Sequence, residues 1–369
     1  MDDMFVPGFG NRPALLVGRS AEVDDFETAL KLAPGFPGRS ILYVGQRGMG
    51  KTALLLELST RASANGFVVA RVTASEQMLD EIIQLLQLNG AKFMPSDKHL
   101  TGFSAGALGF NLGLTLSDGQ PNHIGFRVQL SLLCDELARH GRGVVILVDE
   151  VTASSPQMRE LATVYQSLVG EDKNIIIAMA GLPVAVSAVL NDKVLTFLNR
   201  ARQVHLGPVS LSETTNFYAQ AFREAGKVVS ADVLDRAVQA TCGYPYLLQL
   251  IGYHMLHLAG DGRQITAEMV TLAIANSKRD MVQSVYQPAL WPLSKQDMAF
   301  LKAMAVDDGV SQIADIRQRM GVTPATVQQY RARLIASEAI LPVRRGEVDF
   351  AVPYLRDYLV TGEVTIGQL

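Results

Sequence analysis

Eight residues constrain this chain more than any other stretch: Gly45-Gln46-Arg47-Gly48-Met49-Gly50-Lys51-Thr52. They stand directly after the apolar run 41–44 and directly before the helical pattern 53–60. A strand, a glycine-rich turn and a helix opening on Lys-Thr make the pattern of a phosphate-binding loop. Glycines let main-chain N–H groups close around a phosphate where a Cβ would block the approach. The helix start adds the positive end of its dipole. On this reading Gly45, Gln46, Arg47, Gly48, Met49 and Gly50 cradle the phosphates and Ala53 completes the first turn. Lys51 reaches the β- and γ-phosphates, and Thr52 holds Mg²⁺ through its hydroxyl. The alternative is a glycine-rich turn that matches by chance.

The first two-thirds of the chain alternate short β-branched runs with longer helical patterns, which predicts a parallel sheet covered by helices. The strands expected are 41–44, 67–73, 144–148, 174–179 and 203–206. Three of them are nearly unbroken apolar runs, as required where both sheet faces are covered. The run 144–148 ends in Asp149-Glu150, at the rim where open α/β sheets bind ligands. Asp149 is placed to hold Mg²⁺, and Glu150 to polarise the water that attacks a γ-phosphate. An ordinary acidic loop after a strand is the bland alternative.

Composition narrows the class further. Among 369 residues, 48% are hydrophobic, and Lys+Arg 33 against Asp+Glu 36 leaves a net charge of −3. Two or three domains with buried cores follow, and a mostly disordered chain is excluded. Nucleic-acid binding would need a local patch. Two cysteines, Cys134 and Cys242, exclude a disulfide framework or a multi-cysteine zinc site and read as buried thiols in apolar helices. His254 and His257 stand three apart with no Cys or carboxylate joining them in the sequence, so a packed pair is expected rather than a metal site. The start Met1-Asp2-Asp3-Met4 is acidic where a signal peptide is basic. No stretch of about 18 uninterrupted apolar residues exists for a membrane span. A cytoplasmic protein with no membrane contact is the expectation.

Residues 100–120 are glycine-rich and alternating (Gly102, Gly106, Gly109, Gly113) and read as an inserted loop or hairpin. From residue 210 the pattern is helical, until Gln287-Pro288 and Trp291-Pro292 punctuate it. The expected domains are 1–209, 210–290 and 291–369.

Together the loop, the acidic strand end and several flanking segments resemble the AAA+ ATPases, in the branch holding origin-recognition-like and STAND-like members. The resemblance covers nearly the whole chain. It implies an α/β nucleotide-binding domain with a five-stranded parallel sheet, a helical lid, and an all-helical to α+β winged-helix domain, with ATP and Mg²⁺ as ligands. Leu16-Val17-Gly18-Arg19-Ser20-Ala21-Glu22 is similar to the family's opening segment beside the adenine, which places Val17 and Gly18 at the base; a plain turn before a helix is the other reading. Residues 176–183 resemble the fourth strand, where many members carry a polar sensor. Here Ala178 and Ala180 stand instead, implying slow hydrolysis. Residues 197–202 precede the last strand, where an arginine finger from a neighbouring subunit is frequent. Arg200 and Arg202 are the candidates, with surface arginines on a helix end as the alternative. Gly243-Tyr244-Pro245 resembles the STAND-like element whose proline sits against the nucleotide and links it to the lid. Pro245 also suits a plain helix start. The following helix holds no arginine, the usual sensor.

The last segment reads as helix 312–320, turn 321–323, helix 324–336 with Thr323 as N-cap, and a β-wing over 341–350, similar to a winged helix. Gln328, Gln329, Arg331 and Arg333 are types that bond base edges or phosphates, and Arg344 and Arg345 lie on the wing. Residues 311–345 carry six Arg and two acids, a local +4, whereas 293–369 holds nine basic and nine acidic residues. A neutral module attracts DNA weakly, so double-stranded DNA and a protein partner both stand. Three functions follow: an ATP-hydrolysing switch, a DNA-binding regulator or initiator licensed by ATP, and a nucleotide-binding interaction protein with little hydrolysis. A homo-oligomer is compatible with each.

Overall fold

A computed structural model describes residues 4–8, 16–93, 125–152, 155–192 and 196–361. The glycine-rich stretch 100–120 lies outside the described residues. Contacts divide the chain into an α/β unit, Arg19–Gly45 with Gly50–Gly207, and a mainly helical unit, Met1–Gly18 with Gln46–Met49 and Pro208–Leu369.

The α/β unit runs α1 (Ser20–Lys31), β1 (Ser40–Val44), α2 (Lys51–Ala64), β2 (Phe67–Thr73), α3 (Met78–Gly90), α4 (Phe126–Arg139), β3 (Gly143–Val151), α5 (Pro156–Gly170), β4 (Ile175–Gly181), α6 (Pro183–Leu190) and β5 (Arg202–His205). The five strands pair in parallel in the order β2-β3-β4-β1-β5. Val144 to Val148 are all 0% exposed, because helices cover both sheet faces and leave no polar alternation. The order sets β1 beside β4, in register Leu42↔Met179 and Val44↔Gly181. The chain leaving β1 therefore starts next to the end of β4. Cys134, on α4, is buried in the core, and burial pushes its thiol up to about 12.

The helical unit begins with α7 (Leu211–Glu224), β6 (Val228–Val229), α8 (Ala231–Ala240), α9 (Pro245–Ala259), β7 (Gln264–Ile265) and α10 (Ala267–Met281), then a π-turn into α11 (Gln287–Leu290). Phe5 inserts among Phe217, Tyr218 and Phe222 at centroid distances of 5.4, 5.6 and 5.7 Å. Gly252 admits its ring, since a Cβ there would lie 2.2 Å from Phe5 Cε1. The terminal module follows as α12 (Lys295–Ala305), β8 (Ser311–Gln312), α13 (Ile313–Met320), α14 (Pro324–Ala336), β9 (Ile340–Pro342), β10 (Glu347–Phe350) and α15 (Leu355–Thr361). Gly321 ends α13 at φ +63, and Thr323 accepts the Thr326 N–H at 3.2 Å to open α14. The strands form an antiparallel sheet in the order β8-β10-β9. Tyr286 donates to the Pro353 carbonyl and Tyr354 to that of Ala240, tying this module to the helices before it.

Two sequence readings need correction. Cys242 is exposed, not buried, at the end of α8 with φ +50. The Gly243-Tyr244-Pro245 turn breaks the helix there and carries the thiol out of the apolar stripe. His254 is joined by a carboxylate, the Asp280 Oδ2 at 2.7 Å, which α10 supplies by packing beside α9. Among the described residues no group of three or more His, Cys, Asp or Glu forms a metal cluster.

Arg333 is bound within the module. Its guanidinium donates to Asp297 Oδ1 at 2.7 Å and lies over the Tyr330 ring. Asp297, 3% exposed, also closes a capping box with Ser294 at the start of α12. Burial pushes the Asp297 carboxyl up, but hydrogen bonds from Arg333 and Ser294 outweigh it and hold the group below the usual carboxylate range. An Arg333→Ala chain strands this buried charge and should melt at a lower temperature, by an amount limited because Arg333 itself is half in solvent. Thermal melts read the loss. A depressed native pKa stabilises above the unfolded value of about 4, and that contribution disappears as pH falls through the native value. The unaltered and Arg333→Ala melts should thus converge in acid.

Candidate functional site

The loop after β1 is anchored at its root, where the Gly45 N–H donates to the Gly181 carbonyl at the end of β4 at 3.2 Å. Gly48 at φ +74 and Gly50 at φ +79 make the left-handed turns that wrap the loop, conformations that side chains oppose. Gly50 caps α2, and its carbonyl takes the Leu54 N–H at 2.9 Å. Lys51 opens α2, and its ammonium donates to the Gly45 carbonyl at 2.6 Å, curling back over the loop root. Thr52 and Ala53 follow half-buried in the first turn.

Asp149 and Glu150 lie within β3 rather than after it. The strand continues to Val151 through a bulge that interrupts its pairing with β4 between Val148 and Val151. Asp149 is 4% exposed beside Thr73, and its carboxylate accepts the Glu150 N–H at 2.9 Å. Glu150 is exposed at φ +53. Neighbouring residues of a regular strand face opposite ways. The left-handed residue breaks that alternation, at a backbone cost of about 1–3 kcal/mol. A Glu150→Gly chain releases this strain and should melt about 2 °C higher. An unchanged or lower midpoint would show that the bulge is unstrained.

The chemistry of the donors fits a magnesium nucleotide: main-chain amides of a glycine loop and an ammonium suit phosphate, and a hydroxyl and a carboxylate suit the ion as hard oxygen ligands. No polar side chain stands on β4. Ala178 and Ala180 are both 0% exposed, and the strand closes on Gly181. Arg200 is exposed at the end of a 3-10 turn, and Arg202, on β5, is ion-paired with Asp25 of α1. Arg19 is buried, donates to the Gly207 carbonyl and lies 3.6 Å from Glu22.

In the helical unit, Gly18 and Gly243 meet the same residue. Gly18 has φ +66, and a Cβ there would come 2.5 Å from Val209 Cγ1. Gly243, also at φ +66, accepts the Val209 N–H at 2.8 Å. The opening segment and the Gly-Tyr-Pro element, distant in sequence, thus share one partner. Val17 is half-buried, as is Pro245 at the first position of α9. Beside it, Tyr244 is 1% exposed and donates its hydroxyl to the Arg47 carbonyl at 2.7 Å. Burial first, then Glu338 and Tyr246, push the phenol well above its ordinary value, so it stays a donor at neutral pH. A Cβ on Gly48 would lie 2.2 Å from the Tyr244 hydroxyl. The glycine therefore admits the phenol as well as freeing the loop. Arg47 Nε lies 3.2 Å from Glu338. Neither residue stands out in the sequence as a partner of the loop: Tyr244 lies inside the Gly-Tyr-Pro element, and nothing local marks Glu338.

Residues 15–177 match the AAA ATPase domain family. This stretch is an AAA ATPase domain. Residues 283–359 also match a family described as a domain of unknown function. A Walker-type ATPase of Pyrococcus abyssi is similar over 95% of this chain and 97% of its own, with 17% identity and a TM-score of 0.64. The ORC2 protein of Aeropyrum pernix, solved as ADPNP–ADP complexes, is similar over 97% of each chain, with 13% identity and a TM-score of 0.60. Cdc6p from Pyrobaculum aerophilum is similar over the same shares, with 12% identity and a TM-score of 0.50. At such identities the likeness concerns the fold alone, a P-loop NTPase fold like that of these solved structures. No curated protein matches. Among the described residues, no helix is long and apolar enough to cross a membrane.

Proposed function

We propose that this ATP-binding AAA+ protein is a slow, nucleotide-controlled switch that hydrolyses ATP to ADP and phosphate with Mg²⁺ and passes its state to a winged-helix module. The observation that carries this reading is the loop itself: left-handed glycines at 48 and 50, and Lys51 at the head of α2. Asp149 in the bulged strand supports it. Amides of residues 46–51 bind and orient the phosphates, Lys51 neutralises the β- and γ-phosphate charge, and Thr52 with Asp149 holds Mg²⁺. The ion, when bound, offsets charge that builds on the transferred phosphoryl group. Glu150 takes the proton of the attacking water. With Ala178 and Ala180 in β4, no sensor side chain orients that water from this strand, so turnover is slow. Val17, Gly18 and Pro245 are assigned to the base and lid side, and Arg200 and Arg202 to a neighbouring subunit's site. Calorimetry with ATP–Mg²⁺ tests the reading, together with ATP turnover and molecular mass in ATP and ADP. One-site uptake and slow turnover are expected, and no uptake would sink it.

A second reading concerns the partner. Gln328, Arg344 and Arg345 are exposed, which favours a duplex DNA contact through α14 and the turn between β9 and β10. The local charge is smaller than sequence counting gave. Arg319 pairs with Asp307 and Arg333 with Asp297, acids outside residues 311–345, so the +4 falls by two. Arg333 is thereby tied up, which leaves Arg317 on α13 and, on α14 and the turn, Arg331, Arg344 and Arg345 for phosphates. Binding should appear only at low salt, and an Arg344→Ala/Arg345→Ala chain should lower the log–log salt slope by about 2. Fluorescence anisotropy across a salt series measures it. A salt-independent signal removes DNA and leaves a protein partner for the module.

A further inference from the structure

Arg47, at the crest of the phosphate loop, reaches two residues far away in sequence. Its carbonyl accepts the Tyr244 hydroxyl at 2.7 Å, and its guanidinium Nε lies 3.2 Å from Glu338 Oε2. All three belong to the helical unit, to which Gln46–Met49 are assigned by their contacts. Glu338 sits between α14 and β9 and cannot easily shift. Its φ is +60, its N–H donates to the Ile335 carbonyl at 3.1 Å, and the next two residues, Ala339 and Ile340, are both 0% exposed. The core of the terminal module thus dictates where this carboxylate points. Glu338 is itself only 6% exposed, whereas the Arg47 side chain is 61% exposed. A carboxylate so buried is strongly disfavoured without a counter-charge. Moving the loop crest away from the module would withdraw one. Tyr244 acts on the same crest through the main chain, and its ring fills the space that a Gly48 side chain would need.

We infer that Tyr244 and Glu338 are positioning residues for the phosphate loop, and that the Arg47–Glu338 ion pair couples nucleotide occupancy to the terminal helix-turn-helix module. The inference rests on the loop being the ATP site. A nucleotide that holds residues 46–49 in their wrapped form also holds Glu338 and the module. Binding linkage is reciprocal, so a module held in place tightens nucleotide binding by the same factor.

The test uses the full chain carrying R47Q, E338Q, both together, the swapped pair R47E/E338R, and Y244F. Calorimetry with ATP–Mg²⁺ and hydrogen exchange are the readouts. R47Q and E338Q should each raise the ATP–Mg²⁺ Kd about tenfold. The double variant should lose little more than either single, because one interaction is removed once. The swapped pair should recover most of the affinity, which a merely structural role for either side chain would not produce. Y244F, which keeps the ring, should speed amide exchange at residues 46–49. ATP–Mg²⁺ should slow exchange over residues 324–342 in the unaltered chain and not in E338Q. Additive losses, no recovery on swapping, or no response over 324–342 would overturn the coupling. If E338Q lowers the melting point, R47Q still decides, since it alters an exposed side chain; an unchanged Kd in R47Q sinks the proposal. If the unaltered chain takes up no ATP–Mg²⁺, the nucleotide reading fails by itself. The positioning claim then stands or falls on whether E338Q and Y244F speed exchange at 46–49 without nucleotide.

Discussion

A Lys51→Ala chain is expected to lose ATP–Mg²⁺ affinity by about 10²–10³-fold. Two charge-assisted hydrogen bonds to phosphate oxygens contribute about 3–4 kcal/mol together, and each 1.4 kcal/mol is a factor of ten. The fold should barely respond, because Lys51 begins a helix half-buried and alanine is the best helix former. The ammonium already has a partner in the Gly45 carbonyl. Binding phosphate thus exchanges one acceptor for stronger ones, and the gain is smaller than a bare ammonium would give. Isothermal calorimetry against the unaltered chain, with a melt as control, measures both quantities. An affinity within threefold of the original would remove Lys51 from the phosphate site.

The second large effect is on the chemical step. Glu150→Gln keeps the shape and the bulge but removes the carboxylate proposed as the base, and general-base catalysis contributes about 10²–10⁴-fold. Single-turnover conversion of bound ATP to ADP should slow by about 10²-fold or more, while uptake of ATP–Mg²⁺ stays within about twofold. The left-handed backbone at Glu150 bears on this prediction. A strained non-glycine residue persists only where its surroundings over-determine it, and such residues cluster at functional sites. Equal turnover in the two chains would mean that another group activates the water. It would also leave the bulge in β3 without a chemical purpose. Comparison with Glu150→Gly then separates the effects, since that chain loses the proposed base and the backbone strain together.

The exposed face of α14 bears on the partner. Gln328 and Gln329 are exposed, while the Arg333 charge is answered by Asp297. On the DNA reading proposed above, a helix that offers amides and few free charges would rely on the turn between β9 and β10 for phosphate contact. The Arg344 and Arg345 experiment is therefore more direct than any substitution at Arg333, which would weaken the module's own packing.

The sheet was legible from the chain itself because its information is local. Runs such as 144–148 are apolar at every position, which only a strand covered on both faces tolerates, and the glycine spacing at 45–50 specifies a wrapped turn whatever packs around it. Thr323-Pro324 likewise announced the start of α14 from capping chemistry alone, and the Thr326 N–H bond confirms it. What the chain could not announce depends on residues brought together from far apart. Cys242 turned out exposed because a turn, not a helix, surrounds it, and Asp280 reached His254 only because α10 packs beside α9. Arg333 looked like a free cation until Asp297, 36 residues earlier, was folded against it. Glu338 read as one acid among many, 291 positions from Arg47. Only the packed core beneath α14 and β9 fixes that carboxylate beside the loop. A periodic pattern records which face of an element is buried; which partner covers it is settled by tertiary packing, where burial turns an ordinary charge into one that needs its counterpart.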